Sequence, residues 1–228
     1  GRAAMGGTRY NDAITHFTNL TSSLNCPPGL KGQAMFAYGD ALMAQTPTDT
    51  NKLANYETAI QVFSAILQTY PTNPIAVLAW GEMAKCYKQL GGAGTSNAVF
   101  CFSQVLTSAV ANVAVRSEAQ VGLAGVIVDL AQREPREAQP PLLRQALSNQ
   151  LEVVYGTNLR EGETADLFWV KKAGLEAGAL LERLGDWEQA EKLYSRLQEL
   201  LPVLRTSFQK KIEQARERRA AEKSPPRG

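Results

Sequence analysis

One spacing of apolar positions recurs along the chain. A large residue is followed by Ala three positions later and by another large residue four after that. It reads Tyr10, Ala13, Phe17, and again Tyr56, Ala59, Phe63. Thr95, Ala98, Phe102 is a weaker copy, Leu143, Ala146, Gln150 a degenerate one, and Trp187, Ala190, Tyr194 a clear late one. Steps of three and four place all three side chains on one face of an α-helix. The small residue admits a neighbouring helix, and the flanking large ones fill the space around that contact. Packing alone accounts for the motif.

Each copy after the first is preceded by a second helical stretch, over residues 31–45, 74–90, 113–132 and 165–184. These carry small residues at mid-helix: Gly39, Gly81 with Ala84, Gly122, and Gly174 with Gly178. Glycine inside a helix costs about 1 kcal/mol relative to alanine. Repeated acceptance of that cost predicts close helix–helix approach.

The punctuation agrees with this division. Thr46-Pro47-Thr48-Asp49-Thr50-Asn51 breaks one pair, and Tyr70-Pro71-Thr72-Asn73-Pro74 separates pairs, with Pro74 suited to a first helical turn. Gly91-Gly92-Ala93-Gly94 predicts a turn, with Thr95 or Ser96 as the N-cap of the next helix. Gly185 and Asp186 fit a helix end and the following N-cap. No segment reads as a strand, and Val126-Ile127-Val128 lies inside a 3.6-residue period. Pro135, Pro140 and Pro141, and the stretch from Gly156 to Gly162, predict an irregular connection over 132–165, of the kind that often carries function.

These residues predict an all-α helical-repeat chain, with one domain over 1–222. Leu204, Phe208, Ile212 and Ala215 form one apolar stripe on a last helix over 203–222. A stack of repeats needs such a helix to cover its final apolar face. From Val203 onward eight Lys or Arg face three Glu, so this end is +5 while the whole chain is only +2. The alternative role is therefore a basic helix that docks an acidic partner, a membrane surface or nucleic acid. Nucleic acid fits least, because no aromatic residues are interleaved with the basic ones. The tail 223–228, with Pro225-Pro226, reads as disordered.

Leu184-Gly185-Asp186-Trp187 with Ala190, Tyr194 and Pro202, and Gly178 twelve before Ala190, resemble the second half of a tetratricopeptide repeat. Tyr70-Pro71-Thr72-Asn73-Pro74-Ile75-Ala76, continuing through Ala79, Ala84, Tyr87 and Gly91, resembles the variant found in bacterial envelope proteins of the outer-membrane assembly lipoprotein (BamD) and periplasmic Tol-Pal coordinator type. The likeness covers about residues 5–202. It implies a right-handed superhelical solenoid of antiparallel helix pairs, about five repeats with a C-terminal capping helix. It also implies a non-catalytic scaffold for a protein or peptide partner. A bacterial cell envelope or periplasm is the implied location, with cytoplasm as the alternative. The sequence departs from the family in its steps between successive alanines, which are 46, 39, 48 and 44 residues against a unit of ~34. The difference requires extra turns or longer loops.

In such arrays the first helix of each pair lines the concave side. Carried onto this chain, that rule gives groove candidates Gln33, Phe36, Asp40 and Met43; Leu78, Glu82 and Lys85; Arg116, Ala119 and Leu123; and Lys172, Leu175 and Glu182. The mixture of apolar groups and charges of both signs suits an extended or helical peptide with apolar anchors. The clamp that chaperone-binding members use for a C-terminal carboxylate needs Lys and Asn. Phe36 and Asp40, or Leu78 and Glu82, stand at those positions instead, which argues against that kind of recognition.

Other chemistry is sparse. His16 is the single histidine, and no Ser, Cys or carboxylate is spaced to form a triad with it. Cys26, Cys86 and Cys101 fit no zinc spacing, so no metal or cofactor is expected. Cys86 and Cys101 flank the same turn, leaving two readings, buried thiols or a disulfide between antiparallel helices. Gly91 to Ser96 lacks the Gly-Lys-Ser/Thr ending of a phosphate loop and follows a helix. Asn19-Leu20-Thr21 matches a glycosylation acceptor but falls inside a helix. No apolar run approaches the ~20 residues of a membrane helix. The opening Gly1-Arg2-Ala3-Ala4 reads as a processed or truncated start, with no signal peptide visible. A self-associating structural subunit and a small-ligand receptor are the alternative functions. The second of these would need a convergent polar pocket.

Overall fold

The computed structural model describes residues 5–45 and 53–223. Among them are ten α-helices and no strand: α1 Tyr10–Ser22, α2 Pro28–Ala44, α3 Ala54–Thr69, α4 Pro74–Leu90, α5 Gly94–Thr107, α6 Val113–Ala131, α7 Gln139–Tyr155, α8 Leu167–Leu184, α9 Trp187–Leu200 and α10 Arg205–Lys223. The expected break over Thr46–Asn51 lies outside the described residues. So does the tail expected to be disordered, apart from Lys223, which ends α10.

The chain divides into two compact units, residues 1–115 and 116–228. In the first unit each helix from α1 to α5 packs on the next, and α2 also touches α4 directly. The alanines of the recurring motif are the reason the helices nest. Ala13, Ala59 and Ala98 are all fully buried, with Phe17, Phe63 and Phe102 beside them. The mid-helix glycine of α2 serves the same contact. A Cβ on Gly39 would stand 2.4 Å from the ring of Phe63, so any side chain there would collide. Phe36 packs on the same ring, with centroids 5.5 Å apart. Gly81 meets no comparable restriction, its nearest neighbour being a Val105 methyl at 4.0 Å.

In the second unit α7 packs on α8, α8 on α9 and α9 on α10. Ala146 and Ala190 are fully buried, as are the three motif alanines of the first unit. Gln150 explains why its copy of the motif looks degenerate. It fills the large position, donates to Glu176 at 2.6 Å, and leaves its own amide oxygen buried with no hydrogen-bond partner among the described residues. Gly174 and Gly178 are again close-approach positions, with added Cβ atoms 2.5 Å from Leu197 and 2.2 Å from the Tyr194 hydroxyl. On α10, Phe208, Ile212 and Ala215 are buried, Phe208 stacks on Tyr194 at 6.3 Å, and Leu204 in the preceding turn packs on the same cluster. Its basic face is partly neutralised. Lys211 pairs with Glu182 at 3.0 Å, and Arg216 and Arg219 pair with Glu191 at 2.7 and 3.2 Å. This is a helix sealing an apolar face, in keeping with the stripe on it.

The caps are as local chemistry dictates, with two corrections. Pro74 opens α4, and the Asn73 side chain accepts from the Ile75 N–H. Gly185 ends α8 at φ +73°, a left-handed conformation that costs glycine nothing, and Asp186 accepts from the Gln189 N–H. The first correction concerns α5, which begins at Gly94, so Thr95 and Ser96 sit within the first turn rather than at the N-cap. The cap residue is Ala93, without a side-chain hydrogen bond. The turn is too tight for an extended cap, since a Cβ on Gly94 would lie 2.6 Å from the Tyr87 carbonyl oxygen. The second correction concerns 132–165, which holds the full helix Gln139–Tyr155. Its prolines occupy the first turn, where the missing N–H is unpaired in any case. Irregular backbone is confined to 132–138, which includes the 3-10 turn Arg136–Ala138, and to 156–166.

Candidate functional site

In the first unit the contact between α2 and α4 forms a concavity of about 380 Å³, lined by Met5, Phe17, Gln33, Phe36, Ala37, Asp40, Ile75 and Leu78. On α2 the lining residues are spaced 33, 36, 37 and 40, one helical face. On α4, Ile75, Leu78, Glu82 and Lys85 share a face in the same way. Leu78 is 40% exposed although apolar. The site therefore has an apolar body with a charged end.

Charge at that end is unusual. Glu82 and Lys85 pair at 2.7 Å, both partly buried. Burial, then the nearby Glu82 carboxylate, pushes the Asp40 carboxyl up from its ordinary range to about 7, against a smaller opposing effect from Lys85. Burial and the Glu82 carboxylate outweigh Lys85, so the Asp40 carboxyl resists ionisation. An incoming cation would relieve that conflict.

Four of the groove candidates, Gln33, Phe36, Asp40 and Leu78, thus line one cavity. Glu82 and Lys85 act on it electrostatically. Met43 is half-buried one turn beyond Asp40 and is not part of the lining. Met5, Phe17, Ala37 and Ile75 belong to the cavity without having stood among the candidates. Phe17 carried a signal, as a motif aromatic, but for packing only.

The candidates of the second unit do not stand together. Arg116 and Ala119 are corrections, being only 3% and 2% exposed. The 156–166 loop is what covers Arg116. Its guanidinium donates to both carboxylate oxygens of Glu163 and, at 3.0 Å, to the Asn158 carbonyl, while Asn158 donates to Ser117 at 2.9 Å. The hydrogen bond from Arg116 holds the Glu163 carboxyl below its usual range. Leu123 packs half-buried against the core of α6, α7 and α8. Glu182 accepts from the buried Tyr194 hydroxyl at 2.5 Å as well as from Lys211, which ties it to α9 and α10. Lys172 and Leu175 are exposed on α8, Lys172 lying over the Trp169 ring at 5.1 Å.

His16 is exposed on α1. Cys86 and Cys101 are free thiols, 0% and 1% exposed, and burial pushes each up to about 12. Neutral, covered thiols are poor nucleophiles. A thiol reagent at pH 8 should label Cys26, which is half-buried, in the native protein and all three cysteines only after denaturation. Mass spectrometry of labelled peptides checks this, and rapid native labelling of Cys86 would show that α4 opens. Compared with known proteins, the chain matches no family model and no curated protein.

Proposed function

We propose that the chain is a non-catalytic interaction scaffold whose helix pairs are tetratricopeptide-type repeats, and that it holds a peptide segment of a partner protein against α2 and α4. What supports this reading most is the concavity between those helices, where Gln33, Phe36, Asp40 and Leu78 line one cavity from two consecutive pairs. Direct contact between α2 and α4 fits an array whose first helices stack on one another, and the buried alanines fit the close nesting such pairs need. Three features of the site support this ligand. Phe36, Ile75 and Leu78 suit an apolar anchor, the helical faces that line the cavity suit an amphipathic helix laid against them, and Asp40 suits a Lys or Arg beside the anchor.

Binding should depend on pH. Below about 7 the Asp40 carboxyl is protonated and neutral, and above it the carboxylate attracts a cation. An amphipathic peptide with leucine anchors and a single lysine, free of histidine, should therefore bind several-fold more tightly at pH 8 than at pH 6. Fluorescence anisotropy against a scrambled peptide measures this. Asp40→Asn should flatten the pH response, and Leu78→Glu should weaken binding at both pH values by tenfold or so, the loss expected of about 1.4 kcal/mol. If the peptide binds no better than its scrambled control, or if Asp40→Asn keeps the full pH response, the reading of this site is lost.

A further inference from the structure

A second concavity, of about 550 Å³, lies wholly within the second unit and has a different character. It is lined by Arg136 of the 3-10 turn, by Gln139, Pro140, Leu143 and Arg144 of α7, and by Arg183 and Leu184 at the end of α8. Three guanidinium groups from three elements border one space, and no acidic side chain lines it. None of the three arginines is ion-paired with a carboxylate among the described residues. Some other cations of this unit do find carboxylates: Arg116 meets Glu163, Lys211 meets Glu182, and Arg216 and Arg219 meet Glu191.

The site is also partly built. Gln139 donates through its amide nitrogen to the Glu134 carbonyl at 2.9 Å, and its amide oxygen accepts from Arg183. That chain of two bonds ties the Arg183 guanidinium to the start of α7, in the same lining as Arg144. Pro140 and Pro141 have no N–H to offer in the first turn, so the guanidinium groups, rather than the backbone, would have to hold an anion. Leu143 and Leu184 supply an apolar floor.

We propose that this concavity binds a diphosphate group. Guanidinium forks pair bidentately with phosphoryl oxygens. Together the three carry a charge of +3, more than one phosphoryl group, with about −2 at neutral pH, neutralises. A diphosphate presents enough oxygens and charge for all three. The concavity is also larger than the anion alone, so an organic group attached to the diphosphate would rest on Pro140, Leu143 and Leu184. Free inorganic diphosphate and an organic diphosphate share this chemistry.

The test is isothermal titration calorimetry on the full chain at low salt, with pyrophosphate, sulfate and adenosine diphosphate as probes at matched ionic strength. Pyrophosphate should bind about tenfold or more tightly than sulfate, as bidentate recognition by several arginines demands. Arg144→Gln and Arg136→Gln, made separately, should each weaken pyrophosphate binding by about tenfold, the loss of one charge-assisted pair. Arg218→Gln on α10 should leave it unchanged, and circular dichroism should show all three variants folded. Arg136 is exposed on a turn, so its variant retains the test if Arg144→Gln perturbs α7. Tighter binding of adenosine diphosphate would identify an organic diphosphate as the source. Binding of pyrophosphate alone would identify the free anion. Equal affinity for sulfate and pyrophosphate, or equal pyrophosphate affinity in wild type and both site variants, would overturn the proposal.

Discussion

Phe63→Ala should destabilise the protein by about 3–5 kcal/mol, the cost of removing a buried aromatic ring and leaving its cavity. The upper part of that range is expected for a local reason. The ring is 0% exposed and covers the backbone of Gly39, whose missing side chain is what admits it. With the ring gone there is no side chain at 39 to move into the space, and Phe36 loses its aromatic partner. A site that cannot collapse pays the full cavity cost. Phe63→Leu should cost far less, because most of the volume stays filled. Urea unfolding followed by circular dichroism measures both. With a total stability of about 5–15 kcal/mol for an ordinary domain, the alanine variant should lose a large share of it. A loss below about 1 kcal/mol would mean that α2 and α3 do not depend on this contact.

Gly178→Ala is the second large effect, and its sign is opposite to what helix propensity suggests. Propensity alone favours alanine by about 1 kcal/mol. Overpacking should outweigh that gain, at about 1–3 kcal/mol or more. The new methyl would sit 2.2 Å from the Tyr194 hydroxyl and 2.5 Å from its ring. Tyr194 cannot swing aside, being fully buried, tied to Glu182 through its hydroxyl and stacked on Phe208. Burial, with that hydrogen bond, pushes the phenol well above its ordinary range, so it stays protonated and keeps donating. Tyr194→Phe alone should cost about 1–2 kcal/mol for the lost hydrogen bond, while Glu182 keeps Lys211 as a partner at 3.0 Å. The two substitutions together should cost less than their sum, because the phenylalanine removes the nearest clashing atom. Thermal or urea unfolding of the four proteins closes the cycle, with a coupling of about 0.5–3 kcal/mol expected. Strict additivity would show that α8 and α9 are not in the contact described.

The buried alanines show how much a local pattern can say. Ala13, Ala59, Ala98, Ala146 and Ala190 were separated by unequal steps, yet all five are fully buried. Spacing within one helix suffices for that, because it decides which side chains share a face. Caps were legible where the side chain bonds its own turn, as at Asn73 and Asp186. The cap after Gly91 is not legible locally, because the position of Gly94 is set by the Tyr87 carbonyl seven residues earlier, across the turn. In the sequence Pro140 and Pro141 suggest a break, but a proline in the first turn and one in mid-helix look alike until the helix start is known.

The site was legible only in part. Gln33, Phe36, Asp40 and Leu78 were candidates, and the cavity joins them. Arg116 was a candidate too, and is buried, because Asn158 and Glu163 reach it from 42 and 47 residues away. No pattern near Arg116 announces that cover. The same holds for the titration of Asp40, whose raised value comes from burial and from Glu82 on another helix. It holds again for Arg136, Arg144 and Arg183, which are unremarkable surface charges until α7 and α8 bring them to one space.

By itself the sequence determined that the chain is helical, where its helices turn, and which face of each is apolar. These properties follow from side-chain spacing and backbone preference over a few residues. Only the tertiary structure decided which faces meet, which charges are paired, and which polar groups are left at a cavity edge. Those outcomes depend on atoms distant in sequence. Burial and electrostatic coupling exist only once the helices have packed.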